Sequence, residues 1–300
     1  MPFTASTVLM VEPVSFHRNL ETAQDNHFQL AAEESFSHVQ LRARAEHHRL
    51  RAHLQAAGIT VVSFDNLPDI DTPDAVFPNN WFSTFPSGEL VLYPMRCVNR
   101  RRERRTEILN FLKARYPKVV DLSANEDAGK YLEGTGSLVL DRKARVAFGC
   151  LSGRTDAGLF QSWCEQFSYA PRLFHAQDRD GIPIYHTNVM MSVAQEFALV
   201  CLESIPSENE RCLVSDALEL NGKEIIDISL EQVSNFCGNC LELRTSSSRS
   251  ITVMSARAFH AFTAPQLSQL QKFTTIVHSE IDTIEQLGGG GVRCMLAELF

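Results

Sequence analysis

The sequence predicts an α/β fold, and two observations carry the prediction. Short apolar, β-branched runs alternate with helical patterns along the chain, and some of the runs pair as hairpins across tight turns. The 300 residues are 44% apolar and 21% charged, the composition of a globular chain able to bury a substantial core. No Pro/Ser/Gly linker or low-complexity tract divides them, so one domain over residues 1–300 is expected.

The strand candidates, in order, are "STVLMVEP", "GITVVSF", "ELVLYP", "KVVDL", "SLVLDRKARVAFG", "FALVCL", "SITVMS" and "TTIVHS". Residues 138–141 and 145–148 read as a hairpin, which is unlike a doubly wound sheet. Helical patterns cover 33–57, 101–115, 156–167 and 265–273, with Gly58 where a helix should end. No G-x-G-x-x-G or P-loop motif is present, so no phosphate cradle is predicted.

A net charge of −8 disfavours nucleic acid or an anionic membrane as the main partner. No stretch approaches the roughly 18 apolar residues of a spanning helix. The start, "MPFTASTVLMVEPVSF", has neither the basic region nor the apolar run of a secretory signal. The eight cysteines are scattered singly apart from one pair, which suits reduced thiols in the cytoplasm. Five arginines within 100–105 interleave with Glu103 and Glu107, without aromatic stacking partners, and read as a solvated helix face. "CGNC" at 237–240 has zinc or redox spacing, but no second CxxC completes a ligand set, so it reads as incidental. His47, His48 and His53 lack the HExxH arrangement. No metal and no cofactor are implied.

Four polar stretches interrupt the strand pattern. "PDAVFPNNWF" carries Asp74, Asn79 and Asn80; "LEGTGS" carries Glu133; "YHTNVM" carries His186 and Asn188; and "GGGGVRCMLAELF" carries Cys294 close to the chain end. Singly, each has a bland reading as a turn former, a solvated charge, a core histidine or a buried thiol. Together they supply a thiol, an imidazole, a carboxylate to orient it, and paired amides, which are the parts of thiol catalysis. The apolar residues after the glycines (Met295, Leu296, Leu299, Phe300) predict a terminus docked into the core rather than a loose tail.

In this order, and with "VLMVEPVSF" and "TAQDNHFQ" near the start, the motifs resemble the guanidino- and ureido-modifying superfamily known as penteins. The resemblance covers nearly the whole chain and is closest to the branch of citrulline-utilising hydrolases. It implies a five-bladed β/α propeller of about sixty residues per blade, although no internal repeat is visible in the sequence. It also implies that the last strand returns to the centre, where the glycines let Cys294 come up beside the substrate. Carried over by motif, Cys294 is the nucleophile, His186 the acid/base and Glu133 the carboxylate that holds it. Asp74 and Asn80 fall where the family grips the planar head group, with Asn79 beside them, and Asn188, two residues after His186, is a further substrate-binding candidate. Arg96 and Arg293 are candidates for a bidentate clamp on the substrate carboxylate.

Two positions depart from the deiminases. Asn80 and Asn188 stand where those enzymes carry aspartates. A guanidinium asks for carboxylates, whereas a neutral ureido group needs donors for its carbonyl oxygen, which an amide offers and an ionised carboxylate does not. The expected substrate is therefore citrulline, a small-molecule amino acid, hydrolysed to ornithine, ammonia and carbon dioxide. Attack by a Cys294 thiolate, its pKa lowered by a His186 imidazolium, is the expected route. An arginine dihydrolase, which passes through a ureido stage, and an arginine deiminase-like enzyme are the alternatives. A pentein-shaped binding protein without activity is a third, against which the presence of Cys294, His186 and Glu133 together argues. A homo-oligomer is left open.

Overall fold

The computed structural model describes residues 3–30, 35–67 and 70–300. The chain opens with β1 (Thr7–Glu12) and β2 (Thr60–Asp65), which lie parallel, Thr7 opposite Thr60. Three strands follow as β3 (Phe82–Thr84), β4 (Glu89–Leu92) and β5 (Lys118–Asp121), and three more as β6 (Val139–Asp141), β7 (Val146–Cys150) and β8 (Ala170–Phe174). A fourth set is β9 (Met191–Val193), β10 (Phe197–Val200) and β11 (Glu224–Asp227), and a fifth is β12 (Leu241–Arg244), β13 (Ser250–Ser255) and β14 (Thr275–Ser279). The closing strand β15 (Ala297–Leu299) pairs antiparallel with β1, Ala297 opposite Leu9.

Among the described residues these strands form five three-stranded sheets of one pattern. In each, the first strand runs antiparallel to the second and the second runs parallel to the third. A parallel pair needs a crossover, and each sheet has a helix there: Phe36–Ala56, Thr106–Arg115, Ala157–Phe167, Glu208–Leu220 and Ala264–Leu270. Such a set of small mixed sheets fits a five-blade arrangement, one sheet being closed by the two ends of the chain. The first strands begin at Phe82, Val139, Met191, Leu241 and Ala297, so a repeat of fifty-odd residues that no residue identity betrays is present in the spacing. Central strands are covered on both faces, which explains their continuous apolar runs: β7 and β10 are buried along their whole length.

All eight predicted runs are strands. β3, β8, β11 and β12 had no prediction; each is three to five residues long, and β8 contains Pro171. That proline is tolerated because β8 is the edge of its sheet. The helix predicted from 33 is present as Phe36–Ala56, and residues 33 and 34 lie outside the described residues. The 101–115 pattern is broken in two, Val98–Arg101 and Thr106–Arg115, with Arg105 extended between them. The arginine run is thus a bend and not a solvated face: Arg100, Glu103 and Arg105 are all buried. Asp156 and Thr263 cap the next two predicted helices by accepting from Leu159 N and Gln266 N. No described helix is long and apolar enough to cross a membrane.

The chain end is docked. Met295, Leu296 and Leu299 are buried, and Tyr116 Oη donates to Phe300 O at 2.7 Å.

Candidate active site

The first strand of each sheet is entered through a tight turn, and these turns carry the polar stretches. Pro78–Asn80 leads into β3, Gly134–Ser137 into β6, Thr187–Met190 into β9 and Val292–Met295 into β15, while residues 237–240 turn into β12. Thr187 ties two of them together, its Oγ1 donating to Ser137 O at 2.6 Å. Their meeting leaves a cleft of about 250 Å³, counting its open mouth, whose lining includes Asp74, Asn80, Arg100, Arg154, His186 and Cys294.

At one wall, His186 Nε2 donates to Glu133 Oε2 at 2.8 Å, both residues being fully enclosed. Glu133 also accepts from Arg96 N (3.0 Å) and Arg154 Nη1 (3.4 Å). Burial alone would raise the Glu133 carboxyl, but the Arg154 guanidinium and the His186 hydrogen bond outweigh it and hold the carboxyl well below the usual range. The bond to an ionised Glu133 assigns the imidazole proton to Nε2. Burial pushes the His186 pKa down, against the pull of Glu133.

Cys294 lines the same cleft. Its Sγ accepts from two side-chain amides, Asn239 Nδ2 at 3.2 Å and Asn188 Nδ2 at 3.4 Å. Burial raises the thiol pKa, with the two amides opposing. Both shifts run against the expected thiolate–imidazolium pair. Of the glycines before Cys294, Gly289 has φ +65°, and a Cβ there would lie 2.5 Å from Asn26 Nδ2. Asn26 Nδ2 donates to Gly288 O and Gly289 O, and Gln29 Nε2 to Gly288 O, so the "TAQDNHFQ" segment straps the glycine loop in place.

The floor is built around Asp74 and Asn80. Asp74 Oδ2 accepts from Asn19 Nδ2 (2.8 Å) and Thr22 Oγ1 (3.0 Å), leaving the buried Oδ1 without a partner. Asn80 Oδ1 accepts from Arg100 Nη1 at 2.7 Å, and its Nδ2 is buried with no partner. Arginine is only a donor, so this contact fixes which end of the amide faces it. A third position matters by being empty: a Cβ on Gly136 would lie 2.5 Å from Asn80 Nδ2 and 2.8 Å from His186 Nδ1.

Other expected residues lie elsewhere. Asn79 turns its Nδ2 to Thr135 Oγ1 at 3.2 Å and lines no part of the cleft. Asn188 directs its amide at the sulfur and not at the open space. Arg96 is half-exposed and pairs with Asp25 at 2.5 Å. Arg293 points away altogether: Nη1 donates to Leu296 O and Nη2 to Glu298, in the wall of a second, larger cavity whose lining contains neither Cys294, His186 nor Glu133. Its guanidinium is committed to the chain end, so it is not a clamp for this cleft.

A family model described as N,N dimethylarginine dimethylhydrolase, eukaryotic, matches residues 12–300. The chain belongs to that family. Through that family it falls in the pentein superfamily of guanidino-modifying proteins. No curated protein matches its sequence. Among solved structures, the fold matches the cyanobacterial arginine dihydrolase ArgZ at TM-score 0.76 and 14% identity, covering 97% of this chain and 40% of that one. The chain thus spans about two fifths of that protein. The ArgZ N-terminal domain alone, bound to substrate, is covered over 97% of both chains at the same TM-score and identity. The Pseudomonas aeruginosa dimethylarginine dimethylhydrolase, as a mutant complexed with citrulline, matches at TM-score 0.66 and 16% identity over 99% of this chain and 100% of that one.

Three residues of this dimethylarginine dimethylhydrolase relative carried no reading as site residues in the sequence: Arg100, Arg154 and Asn239. Arg100 sat within a charge run and Asn239 within "CGNC". The one signal able to find Asn239 was spacing, since Asn188, Asn239 and Cys294 each stand two or three residues before a first strand.

Proposed function

We propose that the chain hydrolyses the ureido group of citrulline to ornithine, ammonia and carbon dioxide. The observation that carries this reading is the Asn80 amide: with Oδ1 held by Arg100, the free atom at the cleft is a donor, suited to a carbonyl oxygen. The unpartnered Asp74 Oδ1 complements it as an acceptor for the ureido N–H groups. Charge agrees. Asp74 has Arg100 at 3.9 Å and Glu133 has Arg154 at 3.4 Å, so no uncompensated carboxylate awaits a guanidinium.

In this reading Cys294 Sγ attacks the ureido carbon as its proton passes to His186, which Glu133 holds in orientation. His186 returns the proton to the departing δ-nitrogen, releasing ornithine and leaving a carbamoyl thioester on Cys294. Water, activated by His186, cleaves the thioester to carbamate and the free thiol, and carbamate decays to ammonia and carbon dioxide. Arg154, in the cleft wall, is held by Asp25, Thr22 O and Glu133, so its part is to keep Glu133 ionised behind His186. The five sheets would be the blades of one propeller, a single catalytic domain spanning 1–300. The eight free cysteines suit a cytoplasmic setting.

The second reading is an arginine dihydrolase, favoured by the fold match to ArgZ. Product analysis on purified protein decides between them. Citrulline converted to ornithine faster than arginine is consumed supports the proposal. Citrulline accumulating from arginine, or dimethylamine released from dimethylarginine, overturns it. Ornithine formed from arginine at the citrulline rate supports the dihydrolase.

A further inference from the structure

We propose that Asn239 is a catalytic residue of this site, its side-chain amide stabilising Cys294 as a thiolate. The amide nitrogen lies 3.2 Å from Sγ. Its orientation is fixed, because the same Nδ2 donates to the carbonyl oxygen of Asn188 at 2.9 Å. A carbonyl only accepts, so the amide cannot turn to bring Oδ1 to the sulfur without losing that bond.

The second amide, Asn188 Nδ2, approaches the same sulfur at 3.4 Å. Among the described residues, two donors and no acceptor converge on one atom. A neutral thiol has a proton to give and gains little from such company, whereas a thiolate has only lone pairs and gains from both contacts. Asn239 is fully buried, where the low local dielectric strengthens a hydrogen bond to a charged acceptor. Its turn is held in shape as well: Asn239 N donates to Phe236 O at 2.9 Å, and Phe236 takes the uncommon φ of +60°. The free thiol has its pKa raised by burial, and the two amides act against that rise.

The repeated fold explains how two amides reach one sulfur. Asn188, Asn239 and Cys294 stand three, two and three residues before β9, β12 and β15, at matching places in successive sheets. The same device that delivers the nucleophile from the fifth turn delivers its donors from the two before it. Nothing in this assignment depends on which head group the cleft accepts, so it stands or falls separately from the citrulline reading.

The test follows alkylation of Cys294 by iodoacetamide against pH in the full-length protein, without substrate. Mass spectrometry of the peptide containing Cys294 separates it from the exposed Cys212. Two variants are compared with wild type, Asn239→Asp, which keeps the shape, and Asn239→Ala, with thermal melting as the check on folding. The midpoint of the profile should move up by about one unit in the alanine variant and further in the aspartate variant, a roughly tenfold or greater loss of thiolate below the midpoint. An unchanged midpoint in either folded variant overturns the proposal. Failure of both variants to fold also overturns it, since Asn239 would then be a structural residue.

Discussion

Replacing Asn80 with aspartate changes one atom at the head-group end of the cleft. The contact between Oδ1 and Arg100 Nη1 at 2.7 Å is kept and becomes an ion pair, so the fold should survive. The other terminal atom, now an unpartnered buried donor, becomes an acceptor. A ureido oxygen would then meet a carboxylate oxygen with no proton between them. Leaving such a buried group unmatched costs about 1–3 kcal/mol, and more when it is charged. At 1.36 kcal/mol per tenfold, kcat/KM for citrulline should fall by roughly 5- to 150-fold. Arginine should suffer less or gain, because its guanidinium supplies protons to both carboxylates. The assay is ornithine release at low substrate from purified wild-type and variant protein, with thermal melting to establish folding. Citrulline kcat/KM within about twofold of wild type in a folded Asn80→Asp variant would refute the reasoning, since no donor would have been lost.

Cys294→Ser should retain the wild-type melting temperature and turn over below about one per cent of wild type, because a serine hydroxyl is a far weaker acid than a thiol for His186 to ionise; ornithine release measures it. Deleting 295–300 removes buried Met295, Leu296 and Leu299, each worth roughly 1.5–3 kcal/mol, together with the strand paired to β1, so the melting temperature should collapse for the whole protein. An unchanged melting curve would return the terminus to a loose tail. Burial pushes the enclosed Glu285 up to about 8, with Asp282 and Glu46 adding to the rise and Ser255 and Arg257 opposing it. Its folded pKa lies above the unfolded value of 4.5, so its contribution is complete below pH 4.5 and lost as pH rises towards 8. Glu285→Gln should therefore raise the melting temperature at pH 8–9 relative to wild type more than at pH 4–5, and equal shifts at both ends would contradict the assignment.

The groups that make the site were legible as types and as an order along the chain. Cys294 after its glycines and His186 before a strand line one cleft with Asp74 and Asn80, and Glu133 in a glycine-rich turn bonds His186 from behind. Other readings failed for a common reason. Arg100 and Glu103 looked solvated because alternating charges on a helical period describe an exposed face, but the period breaks between Arg101 and Thr106, and the bend turns both side chains inward onto Asn80 and each other. Arg293 looked like a clamp because it adjoins the nucleophile, yet the two share a 3₁₀ turn, where neighbouring side chains point about a third of a turn apart, and Arg293 goes to Glu298.

The sequence by itself determined the α/β class, the central strands through their apolar runs, and the docked chain end through the side chains that follow the glycines. These are properties of neighbours, and hydrophobic periods of two or 3.6 residues report them directly. Only the tertiary structure decided which polar atoms meet. Glu133 and His186 are 53 positions apart, and Asn239 and Cys294 are 55 apart, so neither contact leaves a trace in any local window. Partners so distant are set by the superposition of equivalent turns from successive sheets. That superposition also turns Asn79 to Thr135, Asn188 and Asn239 to the sulfur, and Asn80 to Arg100, giving four asparagines of similar sequence setting different tasks. An amide offers a donor and an acceptor alike, and only the group fixed opposite it selects which one is left for a ligand.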